Sequence, residues 1–210
     1  MKIDGNDGIK TLIFDFGGVF VDLDIPRCAE NFKKIGFDNV SDYLTPHLQS
    51  GFFGALDRGD INSAEFRDEI RKAAAKPNLS DTEIDAAWTS MLVGIPKYKL
   101  EFAKAVKPHF DRVVLLSNIN EIDWLFAKKN FVEAQGFDVS ELFDKCYLSF
   151  EMGVSKPNPK IFQMLLESEN LVPQDAFLFD DAQPNCEAAN KLGIRTYKPT
   201  VYSDWRPVFS

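Results

Sequence analysis

The chain has 210 residues, a hydrophobic fraction of 45% and a formal net charge of −8. This length suits one domain, or one domain with a modest insertion. An acidic chain is poorly matched to nucleic-acid backbones and to anionic membranes, so we expect neither as a partner. The three cysteines are odd in number and lack the spacing of a metal site, which predicts reduced thiols in a cytoplasmic protein.

Short, continuous apolar runs predict buried strands, because such runs are typical of parallel strands covered on both faces. They are TLIFDF (11–16), RVVLLSN (112–118), KCYLSF (145–150) and AFLFDD (176–181), with IRTYKP (194–199) as a weaker fifth. Helical patterns lie between them at 121–135, 158–170 and 184–193. The first of these is expected to bury Ile122, Leu125, Phe126 and Val132. Strand and helix in alternation predict an α/β fold with a doubly wound, Rossmann-like parallel sheet.

One long segment breaks this alternation, because far more chain separates the first two strands than a crossover helix needs. Ser80 and Glu83 form a capping-box pattern ahead of apolar residues at helical spacing. Asn62 with Glu65 indicates a second helix start. We therefore predict an all-helical cap at 25–94, inserted into an α/β core made of residues 1–24 and 95–210.

Polar residues end the predicted strands, at the edge where open parallel sheets bind their ligands. These are Asp15 after the first strand, Ser117 and Asn118 after the second, Lys156 beyond the third, and Asp180 and Asp181 after the fourth. Carboxylate oxygens suit Mg²⁺, and hydroxyl, ammonium and backbone N–H groups suit a phosphoryl group. Each residue alone also fits a turn, a helix cap or a solvated charge, and it is their order along the chain that favours a shared site.

The motifs in this order identify a resemblance. FDFGGV (14–19), LLSN (115–118), SKPNP (155–159) and FLFDDAQPN (177–185) resemble the four motifs of the haloacid dehalogenase (HAD) superfamily of hydrolases, in the IA-like arrangement with a helical cap after the first motif. DFGGVFVDLD and SFEMGVSKPNP are also similar to a narrower group, the α-D-glucose-1-phosphate phosphatase-like proteins. The resemblance implies a phosphatase that acts on a small phosphorylated metabolite, with a sugar phosphate as one candidate.

The resemblance also implies a role for each motif residue. Asp15 would be the nucleophile that forms an aspartyl-phosphate, and Lys156 would neutralise charge on Asp15 and on the phosphate. Ser117 and Asn118 would bind the phosphoryl oxygens. Mg²⁺ would be held by Asp15, the Gly17 carbonyl, Asp180 and Asp181.

Gly17 is where the chain departs from the pattern of the superfamily. Most of its phosphatases carry an aspartate two residues after the nucleophile, which protonates the departing alcohol and then activates water. General acid–base catalysis of this kind contributes ~10²–10⁴ in rate, and glycine has no side chain for it. Asp22 and Asp24, shortly downstream, are the candidates for the missing group.

The missing acid leaves two alternatives open. One is a catalytically weak or inactive metabolite-binding protein. The other, less favoured, is a 2-haloacid dehalogenase, an enzyme that needs no metal and would leave the paired acids Asp180 and Asp181 without a purpose.

Substrate contacts are expected in the cap, where the candidates are His47, Gln49, Phe52, Phe53 and Arg58. A purely structural role competes with this interpretation at each of them. The tail at 199–210 carries aromatic residues that would pack on the core or on a second subunit, so a monomer and a homodimer are both open.

Overall fold

The computed structural model describes residues 1–44 and 50–210. Its strands are β1 (Thr11–Phe14), β2 (Asp22–Leu23), β3 (Leu92–Gly94), β4 (Arg112–Ser117), β5 (Lys145–Leu148), β6 (Ala176–Phe179) and β7 (Arg195–Tyr197). Five of them form a parallel sheet in the order β5-β4-β1-β6-β7. The predicted α/β fold with a parallel sheet is therefore confirmed.

The central position of β1 explains its continuous apolar sequence. This strand pairs with β4 on one side and with β6 on the other. Leu12, Ile13 and Phe14 are fully buried. Because successive side chains point to opposite faces of a sheet, Ile13 packs in one hydrophobic cluster, and Leu12 and Phe14 pack in another. Burial on both faces fixes the strand, and Asp15 follows at its carboxyl end.

The α-helices of the described residues fall into two groups, four between β2 and β3 and the others along the sheet. The inserted helices are α1 (Ile25–Lys34), α2 (Gly51–Asp57), α3 (Ser63–Ala73) and α4 (Asp81–Thr89). The others are α5 (Lys97–Val106), α6 (Glu121–Ala127), α7 (Val139–Leu142), α8 (Ser149–Met152), α9 (Pro159–Glu169) and α10 (Gln183–Lys191). None of the helices in the described part of the chain is long and apolar enough to span a membrane.

Two of the inserted helices, α3 and α4, begin where the sequence predicts. The side chains of Ser80 and Asn62 each cap a helix, and Glu83 and Glu65 complete the two capping boxes. The two ends of the insertion lie side by side, because β2 and β3 pair as an antiparallel ribbon. This ribbon is too short to leave a pattern in the sequence. The exact division between core and cap, at 24/25 and 94/95, stays a prediction.

The segment at 121–135 is not the single helix that its pattern predicts. Helix α6 ends at Ala127 and continues as a π-helical turn and then a 3₁₀ turn. Leu125, predicted to be buried, is 57% exposed, whereas Asp123 is buried. The physical reason lies at the start of the helix, where the Asn120 amide donates to Asp123 Oδ2 at 2.9 Å and holds this carboxyl on the inner face.

The aromatic tail packs on the core of its own chain. Trp205 is buried, and its ring lies against Phe14, Phe20 and Phe179. Its Nε1 donates to the Val19 carbonyl at 3.0 Å. The tail therefore stabilises the segment that follows Asp15 from the opposite end of the chain.

Candidate active site

The carboxyl end of the sheet brings Asp15, Lys156 and Asp180 into direct contact. Asp15 follows β1, and its N–H donates to the Phe179 carbonyl at 2.8 Å. Lys156 is fully buried, with Nζ 2.9 Å from Asp15 Oδ1 and 2.7 Å from Asp180 Oδ2. The same ammonium donates to the Leu116 carbonyl at 2.9 Å. Residues from three separate motifs thus meet at one point.

The cluster contains more acidic groups than basic ones. Burial raises the pKa of the Asp15 carboxyl to about 7, against the opposing effect of Lys156, and the nearby Asp180 and Asp181 add to the rise. Burial works against the ammonium of Lys156 as well, yet its two carboxylate neighbours outweigh burial and raise its pKa. One cation among several acids leaves room for a further positive charge.

The acids of this cluster fit a divalent metal ion. One carboxylate oxygen from each of Asp15, Asp180 and Asp181 lies within 4.8 Å of the others. Carboxylate oxygens are the ligands that Mg²⁺ prefers in proteins. Asp180 is firmly held, because its Oδ1 accepts from the Ala182 N–H and from the Asn185 amide, both at 2.9 Å, while its Oδ2 accepts from the lysine ammonium.

The two glycines that follow Asp15 and Phe16 differ in backbone conformation and in the space around them. Gly18 has a φ of +69°, and a Cβ at this position would lie 2.3 Å from Asp181 Oδ2. Only glycine permits both this backbone conformation and this close approach. Gly17 does not have a positive φ. A Cβ there would meet Leu23 Cδ1 at 3.2 Å, so a leucine side chain occupies the space beside it.

The loops that follow β4 and β5 are locked together. The Asn118 amide donates to the Lys156 carbonyl, and the Lys156 N–H donates to Asn118 Oδ1, each at 2.8 Å. Ser117 ends β4 and is 1% exposed. These two bonds fix the backbone of Lys156 against Asn118, the residue next to Ser117.

A cavity over this edge is shared by the sheet and the inserted helices. Its lining includes Asp15, Gly17, Ser117, Asn118 and Asp181 from the sheet edge, Asp57, Arg58 and Trp88 from the insertion, and Asp123 from α6. The described residues that line it do not include Asp22 or Asp24. Asp24 caps α1 by accepting from the Arg27 N–H at 3.0 Å, and Asp22 Oδ1 lies 3.4 Å from Lys99 Nζ. The sequence's candidates for the missing acid are thus engaged elsewhere.

Of the substrate contacts expected in the cap, Arg58 lines the cavity. Phe53 is fully buried and Phe52 stacks on it with ring centroids 4.8 Å apart, so both belong to the aromatic core of the insertion. His47 and Gln49 lie outside the described residues.

Sequence reasoning missed a second polar cluster at the cavity. Asn120 is fully buried, and its amide donates to Asp57 Oδ1 and to Asp123 Oδ2, both at 2.9 Å. Burial is the largest cause that raises the pKa of Asp57 to about 6 and that of Asp123 to about 8. Asn120 and Asp123 have the spacing of an ordinary helix cap, and Asp57 starts the polar turn DRGDIN. Nothing in the sequence distinguished them from these common roles.

Comparisons with known proteins agree with this architecture. A family model described as haloacid dehalogenase-like hydrolase matches residues 9–193. D-ribitol-5-phosphate phosphatase of Bacteroides thetaiotaomicron is 30% identical over 198 residues, which cover 94% of this chain and 95% of that protein. A HAD family enzyme of the same organism, solved in complex with magnesium and inorganic phosphate, is 44% identical with a TM-score of 0.91, covering 97% of this chain and 100% of that one. A HAD-like family hydrolase of Porphyromonas gingivalis is 30% identical with a TM-score of 0.87, covering 95% of each chain.

The chain belongs to the haloacid dehalogenase-like hydrolases, because the family model spans most of it. It is an enzyme of this hydrolase class, and the family resemblance identified from the four motifs is confirmed.

Proposed function

We propose that this chain is a Mg²⁺-dependent phosphatase of a small phosphorylated metabolite, with a sugar phosphate or a related polyol phosphate as the substrate. The observation that carries the proposal is the buried contact of Lys156 with Asp15 and Asp180, beside Asp181. The similarity to a D-ribitol-5-phosphate phosphatase and to an enzyme solved with magnesium and phosphate supports it.

Asp15 is the nucleophile in this proposal. Its carboxylate attacks phosphorus and forms an aspartyl-phosphate, a covalent strategy that divides one difficult displacement into two easier ones. Two anions repel each other, and Lys156 opposes this repulsion from 2.9 Å away. At an effective dielectric of ~20, unlike charges ~4 Å apart gain about 4 kcal/mol. Ser117 and the Asn118 backbone bind the phosphoryl oxygens.

The metal set proposed for Mg²⁺ is Asp15, Asp181 and the Gly17 carbonyl, with Asp180 in the same cluster. Bound Mg²⁺ would supply positive charge against the phosphate. Asp180 acts mainly by orienting Lys156, because its oxygens already accept from protein donors.

A panel of phosphate esters tests the proposal, covering sugar and polyol phosphates, nucleotides and pyridoxal phosphate, with Mg²⁺ or with a chelator. We expect phosphate release that requires Mg²⁺ and is abolished by Asp15→Asn, while Asp38→Asn, at an exposed aspartate, retains it. Full turnover in Asp15→Asn would show that the nucleophile is another group. Metabolite binding without turnover would identify an inactive binding protein, and chloride release from 2-haloacids with the chelator would identify a dehalogenase.

A further inference from the structure

The proposed phosphatase reaction needs a proton donor that position 17 does not supply. Gly17 has no side chain, and Leu23 fills the space next to it. Among the described acids that line the cavity, two lie outside the cluster around Lys156, namely Asp57 and Asp123. We propose that Asp57, at the end of α2, is the general acid and base of the reaction. This inference rests on the proposed phosphatase function.

Asp57 is held by the core although it belongs to the insertion. Its Oδ1 accepts from the Asn120 amide, and its backbone carbonyl accepts from the Ser149 hydroxyl. Ser149 Oγ in turn accepts from the Ile119 N–H at 3.0 Å. Asn120 and Ser149 are fully buried. The end of α2 is thus tied to the loops that follow β4 and β5, so Asp57 has the fixed placement that an acid catalyst requires.

This anchoring holds Asp57 in the same cavity as Asp15, on the side of the loop that follows Ser117. Asn120 is three residues beyond Ser117, and three residues of chain span at most about 11 Å. The insertion contributes Asp57 to the cavity lining, and the sheet edge contributes Asp15. In a phosphoryl transfer the attacking and leaving oxygens lie roughly in line with phosphorus. With Asp15 attacking from the sheet, the leaving oxygen points toward the insertion, where Asp57 lies.

Of the two neighbouring carboxyls, Asp57 suits the acid–base role better than Asp123. Both carboxyls share the single amide of Asn120, and Asp123 Oδ1 is buried with no hydrogen-bonding partner among the described residues. Burial raises the pKa of Asp123 to about 8, so this group keeps its proton near neutral pH. The pKa of Asp57 rises only to about 6, because the Asn120 amide and the charge of Arg58 oppose the effect of burial. When two neighbouring acids have different pKa values, the acid whose pKa lies nearer the working pH exchanges protons more effectively. Of these two carboxyls, that acid is Asp57.

The reaction has two steps, and Asp57 gives a proton in the first and takes one in the second. As the bond between Asp15 and phosphorus forms, the bond from phosphorus to the leaving oxygen breaks, and its electron pair stays with that oxygen. The Asp57 proton moves to this oxygen, and the alcohol departs. In the second step a water molecule attacks phosphorus and gives its proton to Asp57. The electron pair of the phosphorus–Asp15 bond returns to the Asp15 carboxylate, and inorganic phosphate leaves.

A series of aryl and alkyl phosphates with leaving groups of increasing pKa tests this role in wild type, Asp57→Asn and Asp38→Asn. An activated leaving group such as p-nitrophenolate departs without a proton, whereas an alkoxide does not. We expect kcat/KM of Asp57→Asn for p-nitrophenyl phosphate, which reports the first step alone, to stay within a few-fold of wild type, and kcat/KM for alkyl phosphates to fall by ~10²–10⁴. The plot of log kcat/KM against leaving-group pKa should therefore become steeper in Asp57→Asn only. Because Asp57 is also the base of the second step, kcat of this variant should fall for both kinds of substrate.

The outcomes separate this inference from the function on which it depends. An unchanged slope in Asp57→Asn, with the wild type active, would overturn the role of Asp57 alone. The role of Asp57 as acid and base would also be overturned if Asp57→Asn raised KM for a sugar phosphate and left kcat unchanged. That result would assign Asp57 to recognition of the sugar hydroxyls. A wild type that releases no phosphate from any ester with Mg²⁺ would overturn the proposed function and this inference with it.

Discussion

The ammonium of Lys156 lies 2.9 Å from Oδ1 of Asp15, at the end of the central strand and out of contact with solvent. A buried cation of this kind is retained only where acids surround it, since an unpaired charge inside a protein costs several kcal/mol. The contact therefore ties the proposed chemistry to the stability of the fold.

Replacing Lys156 should impair both the proposed chemistry and the stability of the fold. Lys156→Met leaves Asp15 and Asp180 without their shared cation, and we expect the free energy of unfolding to fall by about 3–5 kcal/mol. Urea denaturation measures this loss. The exposed Lys160 on the neighbouring helix provides the control, and Lys160→Met should change stability by less than ~0.5 kcal/mol. Equal stability of the two variants would contradict a structural role for the ion pair.

Glycine should be needed at position 18 because the Asp181 carboxylate lies close to its Cα, and not only because of the positive φ of Gly18. Gly18→Ala places a Cβ 2.3 Å from Asp181 Oδ2, at a φ of +69°. Gly136→Ala meets a similar φ of +84° with nothing within 4 Å, so it isolates the backbone strain of about 1–2 kcal/mol. We expect phosphate release to need much higher Mg²⁺ concentrations in Gly18→Ala only. A Mg²⁺ titration that gives the same midpoint for both variants would contradict the assignment of Asp181 to the metal.

Asn120 should be important for stability as well as for the placement of Asp57. Asn120→Ala removes the amide that the buried Asp123 and the half-buried Asp57 share, and each unsatisfied polar group costs about 1–3 kcal/mol. Thermal and urea unfolding should both show a loss of at least this size. Asn130→Ala, where an exposed amide donates to the Phe126 carbonyl, should cost less than ~1 kcal/mol. Similar losses in the two variants would show that the shared amide is dispensable.

The buried acid Asp123 should make stability fall as the pH rises. Its folded pKa of about 8 lies above its ordinary value of 3.8, chiefly through burial and then through the charges of Asp57 and Asp85. Between about pH 4 and pH 8 the folded state therefore holds a proton that the unfolded chain releases, which favours unfolding. Asp123→Asn removes this contribution, so its stability relative to wild type should increase across that window. Two nearby titratable groups, Asp57 and the Cys28 thiol, are present in both the wild type and Asp123→Asn. The charge of Asp123 contributes to the raised pKa of Cys28. A difference that does not vary with pH would contradict a protonated Asp123.

Much of the sheet edge could be predicted from the sequence. The apolar run before Asp15 must be buried on both faces, and parallel strands bring their carboxyl ends to one edge. The meeting of Asp15, Lys156 and Asp180 follows from that topology. Each strand ends one or two residues before its predicted limit, and the residues beyond the ends of β1, β4 and β6 include Asp15, Asn118, Asp180 and Asp181 of the site.

The polar cluster of Asp57, Asn120 and Asp123 could not be predicted in this way. Asp57 reaches it from the insertion, Asp123 from α6 and Asn120 from the N-cap of that helix, so the contact depends on how the inserted helices pack on the core. Sequence periodicity contains no information about that packing. The same contact explains why Leu125 is exposed and Asp123 is buried, in reverse of the helical pattern.

The stereochemistry at phosphorus tests the central claim most directly. A phosphate ester made chiral with three oxygen isotopes is incubated with the wild-type protein and an acceptor alcohol that takes the place of water in the second step, and the configuration of the new phosphate ester is determined by ³¹P NMR. Attack by Asp15 followed by transfer from the aspartyl-phosphate inverts phosphorus twice, so we predict net retention. Net inversion would show a single displacement and would contradict a covalent intermediate on Asp15.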